Sequence, residues 1–535
     1  MSPQRAVVVL GVGAVVVFAL GIGFLLTGDG DNGGDRAAEP GAGGRGGGTL
    51  RMGVVGLDTL DPLEARTPAE VMVADHLFDT LVGYDPQTSE PVGELAASWE
   101  VNEDQTVFTF RLRNGAIFHD ESPVTSADVK FTLERVAGPE STSPLLAQVE
   151  AIAGFAAYHS GSAEGLAGIE TPDPSTVVVR LDRPFSVLPA ALGHPGLGIV
   201  PAAAVEAAGA AFADEPVGSG PFRFGSRVGD RLRLSRFGGA EPPARVDRID
   251  VMRFDDAGAA YRAFVGERLD LSPVPPDVVP EAAARHGTRG MRPVGVLFYA
   301  LNVAQPDLAD TRFRHAISLA VDRERILREV YDNAAEPASA LIAAGVPGYL
   351  GDACRDRCRH DPERARELVA EVFTADEVPE VTIDHDDDPR QAAVAVLLER
   401  DLEAVGIPAV ARSHPFDAYG THIVSGDQEM FRYGWVGAYV SPDAYLAPLF
   451  SSDSPENLVG LDDPDIDAGI TSARAEPDPV IRQEIYRQVE QRVFGDHVAV
   501  LIAELETRMV VSERVDSFLL NPLGTFDGAA VTLLP

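Results

Sequence analysis

Few places in this chain carry side chains that could do chemistry. Cys354 and Cys358 stand four apart in CRDRC, with His360 two residues on. Two thiols are too few for a tetrahedral zinc site unless histidines join them, and no fourth ligand follows at helix or hairpin spacing. A disulfide closing a small loop is the preferred reading, with two free thiols as its alternative. The run DHDDD, Asp384 to Asp388, could touch a cation through His385, and is read instead as a strand-to-helix loop. DDPDIDAG, Asp462 to Gly469, begins like a calcium loop. Counted from Asp463, however, Ala468 falls where the turn needs glycine and Arg474 where a bidentate glutamate belongs, so the stretch reads as an acidic helix start. The glycines of GHPGLG, from Gly193, have a dinucleotide-like spacing but follow no convincing strand. No G-x-S-x-G elbow, P-loop, H-E-x-x-H or C-x-x-C occurs, and no nucleophile can be paired with a base. The expectation is a protein that is not an enzyme.

The densest group of binding-type side chains is MFRYGWVGAYVSPDAYLAPLF, Met430 to Phe450. Its aromatic rings are interleaved with Gly434, Gly437, Pro442 and Pro448, and Arg432 and Asp443 add charge. Glycine and proline at this density forbid one continuous helix, and so many rings are out of place in an ordinary surface loop. By composition alone the segment either packs a core or lines a binding wall.

The elements that would position such a segment alternate between strand and helix. TVFTFRLR (106–113), STVVVRL (175–181), RLRLSRF and DRIDVMRF (both between 231 and 254) read as strands from their period-two patterning. Thr125 or Ser126 can cap a helix through ADVKFTLERV. Asp388 before Pro389, and Asp361 before Pro362, each mark a helix start, and Gly406 marks an end. RFRHAISLAVDRERILREVY reads as one helix with Ala316, Ile317, Ala320 and Val321 on its apolar stripe. The fold class is α/β, without a short-period repeat.

Length and charge bound the function. The 535 residues allow two or three domains, and 82 acidic against 44 basic side chains leave a net charge of -38. Such a surface repels phosphate backbones and anionic headgroups, which argues against a nucleic-acid partner. Residues 6–26 carry no charged or strongly polar side chain and as a helix would span roughly 31 Å, the thickness of a hydrocarbon core. Arg5 before them and Asp29, Asp31 and Asp35 after them favour a short inside end and a body outside. An uncleaved membrane anchor is preferred to a cleaved signal segment, which would leave the protein secreted. Residues 27–48, rich in glycine and without aromatics, read as a flexible tether.

Several stretches taken together resemble the peptide/nickel-type (family 5) extracellular solute-binding proteins of ABC importers. They are LDTLDP, LFDTLVGYD, PVGELAASWEV, TVFTFRLRNGAIFHDESPVTSADVKFTLER, EPVGSGPFRF, LNV followed by DTRFRHAISLAVDRERI, DPERARELVAEV, and the aromatic segment itself, in the family's order over residues 49 to about 520. The resemblance implies a two-lobed periplasmic-binding-protein-like fold of type II, with an extra subdomain in lobe I and the ligand cleft between lobes. Lobe I would comprise 49–291, lobe II 292–505, and 506–535 would return to complete lobe I. It further implies a monomeric receptor, without cofactor, that hands a peptide or peptide-like solute to ABC permease subunits. A ligand sensor for a membrane signalling partner, and a receptor for an oligosaccharide, lipid-linked molecule or metal chelate, are the alternatives.

Carried over residue by residue, the resemblance puts Trp435 on the ligand-facing wall of lobe II. Gly434 and Gly437 would let a ligand backbone approach, Val436 would lie within the wall, and Tyr433, Trp435 and Tyr439 would cover ligand side chains. Ala438 stands where peptide binders place an aspartate for the ligand's ammonium group, so either another acid replaces it, with Asp443 or Glu64 as candidates, or the ligand has no free amino terminus there. Arg432 matches an arginine that meets a ligand carboxylate, although strict alternation puts it on the opposite face from Trp435. Thr67 and Tyr299 are expected on the wall and Asn302 at the hinge. No pair of histidines can be placed in the cleft from sequence; His422 is read as a surface residue, and no metal site is expected.

Overall fold

β1 (Thr49–Val55) begins the body, with Leu50, Met52 and Val54 buried between strands on both sides. The structure, a computed structural model, describes residues 47–275, 278–287, 289–332 and 335–534. The expected anchor 6–26 lies outside the described residues, as does the tether except Gly47 and Gly48. Among the described residues no helix is long and apolar enough to cross a membrane.

After β1 and the helix Pro68–Leu77, a hairpin of β2 (Val82–Tyr84) and β3 (Pro91–Gly93) leads into an antiparallel sheet. Its strands are β4 (Ala96–Val101), β5 (Val107–Leu112), β6 (Ile169–Asp173) and β7 (Thr176–Arg180), in the order β4-β5-β7-β6. TVFTFRLR and STVVVRL supply β5 and β7, with Phe108 opposite Val179 and Phe110 opposite Val177. The helix Ser126–Ala137 packs on this sheet; Thr125 precedes it, donating from backbone and hydroxyl to Asp128. β8 (Phe222–Val228), β9 (Arg231–Arg236), β10 (Arg248–Phe254) and β11 (Leu271–Pro273) bring the chain back beside β1.

β12 (Gly290–Leu301) then runs out of this half. Beyond it come β13 (Val381–Asp386), β14 (Ala409–His414) and β15 (Met430–Val436), then β16 (Ala499–Val511), β17 (Val515–Ser517) and β18 (Thr532–Leu533). Ten strands make one sheet, ordered β14-β13-β15-β12-β16-β11-β1-β10-β9-β8. β16 makes it continuous: Ala499 to Leu505 pair with the far end of β12, and Met509 to Val511 pair with β11. The chain thereby forms two lobes joined through the long strands. The closing residues lie against the opening ones, with Leu533 beside Gly48 and the Arg514 guanidinium on the Thr49 carbonyl at 3.3 Å.

Among the described residues four hydrophobic cores hold these parts, the smallest around Tyr261 and Phe264. One packs the helices Thr311–Ala320, Pro362–Val372 and Pro389–Ala404 on β12, β13 and β15, and another joins β1, β8, β9 and β10 to the closing segment. The largest runs from the four-stranded sheet into the helices Asp443–Phe450, Pro464–Ala475 and Pro479–Gly495, so it crosses from the subdomain to the second lobe.

Asp–Pro helix starts hold at Pro362–Val372 and Pro389–Ala404, where Asp388 accepts from Arg390 N and Gln391 N at 2.8 and 3.1 Å. Gly406, at φ +87°, follows the second of these helices. DDPDIDAG is an acidic helix start, with Asp463 capping Pro464–Ala475. The long helix expected from Arg312 to Tyr331 is instead two, Thr311–Ala320 and Arg323–Val330. Asp322 caps the second by accepting from Arg325 N at 2.9 Å. The buried Arg323 guanidinium takes the carbonyls of Ser318 and Val321, which the break leaves without helical partners, and that of Leu501. Val321 remains fully buried in spite of the break. Cys354 and Cys358 are joined in a disulfide, Cα atoms 5.7 Å apart, across the turn Arg355–Cys358.

Candidate functional site

The aromatic segment divides in two: its first part is β15, and its second a loop leading into the helix Asp443–Phe450. β15 lies between β13 and β12, antiparallel to β12, with Trp435 opposite Val296, Tyr433 opposite Phe298 and Arg432 opposite Tyr299. Alternation sorts its side chains. Phe431, Tyr433 and Trp435 face the core shared with the subdomain, whereas Tyr299, and with it Arg432, face the core of the second lobe.

Arg432 is accordingly buried, and its Nη1 lies 3.1 Å from Asp386 Oδ2. Tyr299 is fully buried, and burial pushes its phenol far above the ordinary range. Tyr433 is buried too, tilted against Phe298 and edge-on to Trp435, with its hydroxyl donating to Glu456 O at 3.3 Å. Trp435 is half-buried, and its Nε1 donates to Ala444 O at 2.7 Å, which fixes the indole against the start of the next helix. Val436 packs on the second lobe's core, and Ala438 is half-buried at the edge of the shared one.

The two glycines differ. A Cβ on Gly434 would make ordinary contact with Leu505, so nothing in the packing demands glycine there. A Cβ on Gly437 would lie 2.5 Å from the Tyr445 ring, whose hydroxyl donates to Val294 O; here the close approach requires glycine. Thr67 caps Pro68–Leu77, its hydroxyl accepting from Glu70 N at 3.1 Å and donating to Gly56 O at 2.5 Å. Asn302 is buried just past the far end of β12, its amide bonded to Gln428 O at 2.9 Å. β12 is irregular at two places in its pairing with β16, between Pro293 and Gly295 and between Leu297 and Phe298.

Asp443 is fully engaged. Arg474, Tyr439 and Tyr486 all bond its carboxylate, so it offers no free acid. Burial would raise this carboxyl, but the Arg474 charge and the hydroxyl donors hold it below the usual range. Glu64 is exposed and accepts from the Thr59 hydroxyl. A further acid, not singled out in the sequence, is Glu504. It stands opposite Val296 as Trp435 does on the other side, so Trp435, Val296 and Glu504 form a row across three strands on one face. Burial, and next the neighbouring Glu506, push its carboxyl up to about 7, and Tyr349 donates to it at 3.4 Å. The signal was present: in AVLIAELETRMVV, Glu504 and Glu506 interrupt an apolar strand at alternate positions.

The loop after β15 also meets the subdomain. Tyr439 is edge-on to Phe185 at 6.3 Å, and Arg474 lies over the same ring at 5.3 Å. Val440 N donates to the Tyr84 hydroxyl at 3.3 Å, and Ser186 N to Arg474 O at 2.8 Å.

Comparison with known proteins agrees with this architecture. The family described as bacterial extracellular solute-binding proteins, family 5 Middle, matches residues 90–457. The chain is 26% identical over 476 residues to the dipeptide-binding protein of Escherichia coli (strain K12), covering 84% of this chain and 87% of that protein. It is 27% identical over 488 residues to a probable di/tripeptide-binding protein of Pseudomonas aeruginosa (strain UCBPP-PA14), with 86% and 90% covered. Among solved structures it superposes on clavulanic acid biosynthesis oligopeptide binding protein 2 with a TM-score of 0.81 at 24% identity, covering 93% of this chain and 99% of that one. A periplasmic murein tripeptide binding protein in its unliganded open form gives 0.79 at 20% identity, with 92% and 99% covered. With a match over more than half its length and two lobes joined through one sheet, this chain belongs to family 5 of the bacterial extracellular solute-binding proteins.

Proposed function

We propose that this protein captures a peptide-class solute between its lobes and delivers it to the permease of an ABC importer, tethered at the extracytoplasmic face by residues 6–26. Lobe I then comprises 49–291 with 506–535, and lobe II 292–505. The observation that carries the reading is the row Trp435–Val296–Glu504, set where β12 and β16 pass between the lobes. The half-buried indole offers a ligand an apolar face, and the loop Val436–Ala438 offers backbone groups for an added strand. Arg432, Tyr299 and Tyr433 support that wall from within the protein, and Gly437 lets its loop cross Tyr445. Thr67 shapes the facing edge of lobe I through its helix cap, and the hinge comprises the irregular stretches of β12, Pro293–Gly295 and Leu297–Phe298, with Asn302 just past its end.

In place of the acid missing at Ala438, Glu504 supplies the anion for the ligand's ammonium group. A cation beside it would favour the carboxylate and return its pKa towards the ordinary range. Closure follows from differential affinity: a solute touching both lobes binds the closed form more tightly and shifts the population to it. The test is titration of the purified protein with a mixed library of two- to five-residue peptides, read by tryptophan fluorescence and small-angle scattering. Saturable binding with compaction is expected. A library that neither perturbs the fluorescence nor compacts the protein removes the peptide reading.

A further inference from the structure

Away from the wall, the edge of the ten-stranded sheet gathers a second group of chemistry-bearing side chains. β13 and β14 are parallel neighbours, and Pro415 leads from β14 straight into the short helix Phe416–Ile423. Asp384 comes from β13, His414 from the end of β14 and His422 from the last turn of that helix. His414 Nε2 lies 2.6 Å and His422 Nε2 3.3 Å from the same Asp384 oxygen, Oδ1. The two imidazoles stack, with centroids 4.0 Å apart and planes 19° from parallel. One ligand atom from each of the three residues falls within 4.8 Å of the others.

We infer that Asp384, His414 and His422 bind one divalent cation of the zinc class and so fasten the helix Phe416–Ile423 to the sheet edge. Neither the solute reading nor the wall requires this site. Two imidazole nitrogens and one carboxylate oxygen form a donor set that suits zinc, copper or nickel, whereas calcium and magnesium prefer oxygen alone. Zinc bonds of ~2.0–2.2 Å in a tetrahedron put ligand atoms ~3.3 Å apart. His422 already stands at that separation from Asp384. His414, on the edge strand and partly open to solvent, needs to swing out by only ~0.7 Å to match it.

Burial argues in the same direction. Asp384 is 2% exposed, and both imidazoles lie against its carboxylate. His422 Nε2 is itself buried and makes no hydrogen bond. A carboxylate taken out of water beneath two nitrogen donors, one of them unbonded, is a costly arrangement that a cation between them would offset. The partly open sides of His414 and His422 leave room for a water in the fourth position. The helix has reason to need the tie. It is only eight residues long, Phe416 is 48% exposed, and Tyr419 and Ile423 are its buried residues. Tyr419, three residues before His422 on the same face, already bonds the Asp384 and Arg432 carbonyls, so it holds the helix in register for the ligands.

The experiment uses the full-length chain stripped of metal with a chelator. Calorimetric titration with zinc is expected to show one saturable equivalent, and cobalt(II) in its place a visible d–d absorption of a four-coordinate site. His422→Ala, His414→Gln and Asp384→Asn should each weaken zinc binding at least tenfold and remove the cobalt band. Because the surface is strongly acidic, carboxylates elsewhere will collect some zinc weakly; that fraction persists in all three variants and gives no cobalt band. Absence of a saturable equivalent, or an equivalent retained at full affinity by folded His422→Ala and His414→Gln, overturns the inference. Should the variants fail to fold by circular dichroism, the wild-type cobalt spectrum decides: a six-coordinate, nearly colourless complex overturns it as well.

Discussion

Arg474 clasps Asp443 with both ends of its guanidinium fork, Nε on Oδ1 at 2.8 Å and Nη2 on Oδ2 at 3.0 Å, at a carboxylate with no solvent exposure. Tyr486 and Tyr439 fill the remaining positions at 2.5 and 2.6 Å. The loop between β15 and the helix Asp443–Phe450 is thus pinned at its far end by a saturated buried ion pair that also reaches Phe185 of the subdomain. Removing one partner of such a pair leaves an uncompensated buried charge. Asp443→Ala is expected to cost about 3–5 kcal/mol in urea denaturation. Replacing both partners, Asp443→Leu with Arg474→Met, should recover a large part of it. A loss under 1 kcal/mol for the single change would mean that the fork is not what holds the loop.

Trp435 is one of two tryptophans, the other being Trp99 on β4. In a Trp99→Phe background the intrinsic fluorescence therefore reports the wall alone. Trp435→Ala should weaken solute capture more than tenfold, or about 1.4 kcal/mol. Since the indole is only half-buried, the melting temperature should move far less than for Asp443→Ala. Unchanged affinity would take the indole out of the binding surface.

The charge at the wall can be tested from both sides. Glu504→Gln should lower affinity for peptides with a free amino terminus by about tenfold and leave their N-acetylated forms unaffected, the loss of one charge-assisted contact. Ala438→Asp should partly restore the free-amino preference in that variant. Equal effects on free and acetylated peptides would indicate that Glu504 does not meet an ammonium group.

Glu490 governs part of the pH dependence of stability. It is fully buried, accepts from Leu341 N and Ile342 N at 2.8 and 3.3 Å, and burial pushes its carboxyl up from 4.5 to about 7. The folded chain therefore holds this proton more tightly than the unfolded chain. Stability is greatest below about 4.5 for this group and falls as pH rises towards 7, by about 3 kcal/mol in all. Glu504 acts in the same direction. His76 and His119 oppose them: burial lowers each from 6.5 to about 4, so their penalty grows as pH falls through that interval. The melting temperature should peak in mildly acidic solution, and Glu490→Gln should flatten the alkaline side of the curve. An unaltered alkaline side would assign the decline to other groups.

Local signals in the sequence translated well where the structure is itself local. Aspartate before proline marks helix starts at Asp361 and Asp388 because cap and first turn are fixed by neighbours. The strands β5 and β9 follow from alternation because one face of each is buried, while β7 and β10 are covered over part of both faces. The break at Val321 was hidden because its compensation, Arg323 on the Leu501 carbonyl, comes from a strand nearly two hundred residues away. Glu504 is hidden for the same reason: only the pairing of β16 with β12, and of β12 with β15, puts it in one row with Trp435, with Val296 between them. His414, His422 and Asp384 likewise converge only once β13 and β14 lie parallel. Arg432 shows the reverse, since alternation alone set it on the far face from Trp435, and the fold keeps it there.

The seating of Gly48 beside Leu533 has a mechanical consequence. β1 is laced to β10 along its whole length, so a load arriving on the chain ahead of Thr49 would pass into that half of the sheet first. The half that carries Trp435 would feel it only through the long strands β12 and β16 and through the core it shares with the subdomain.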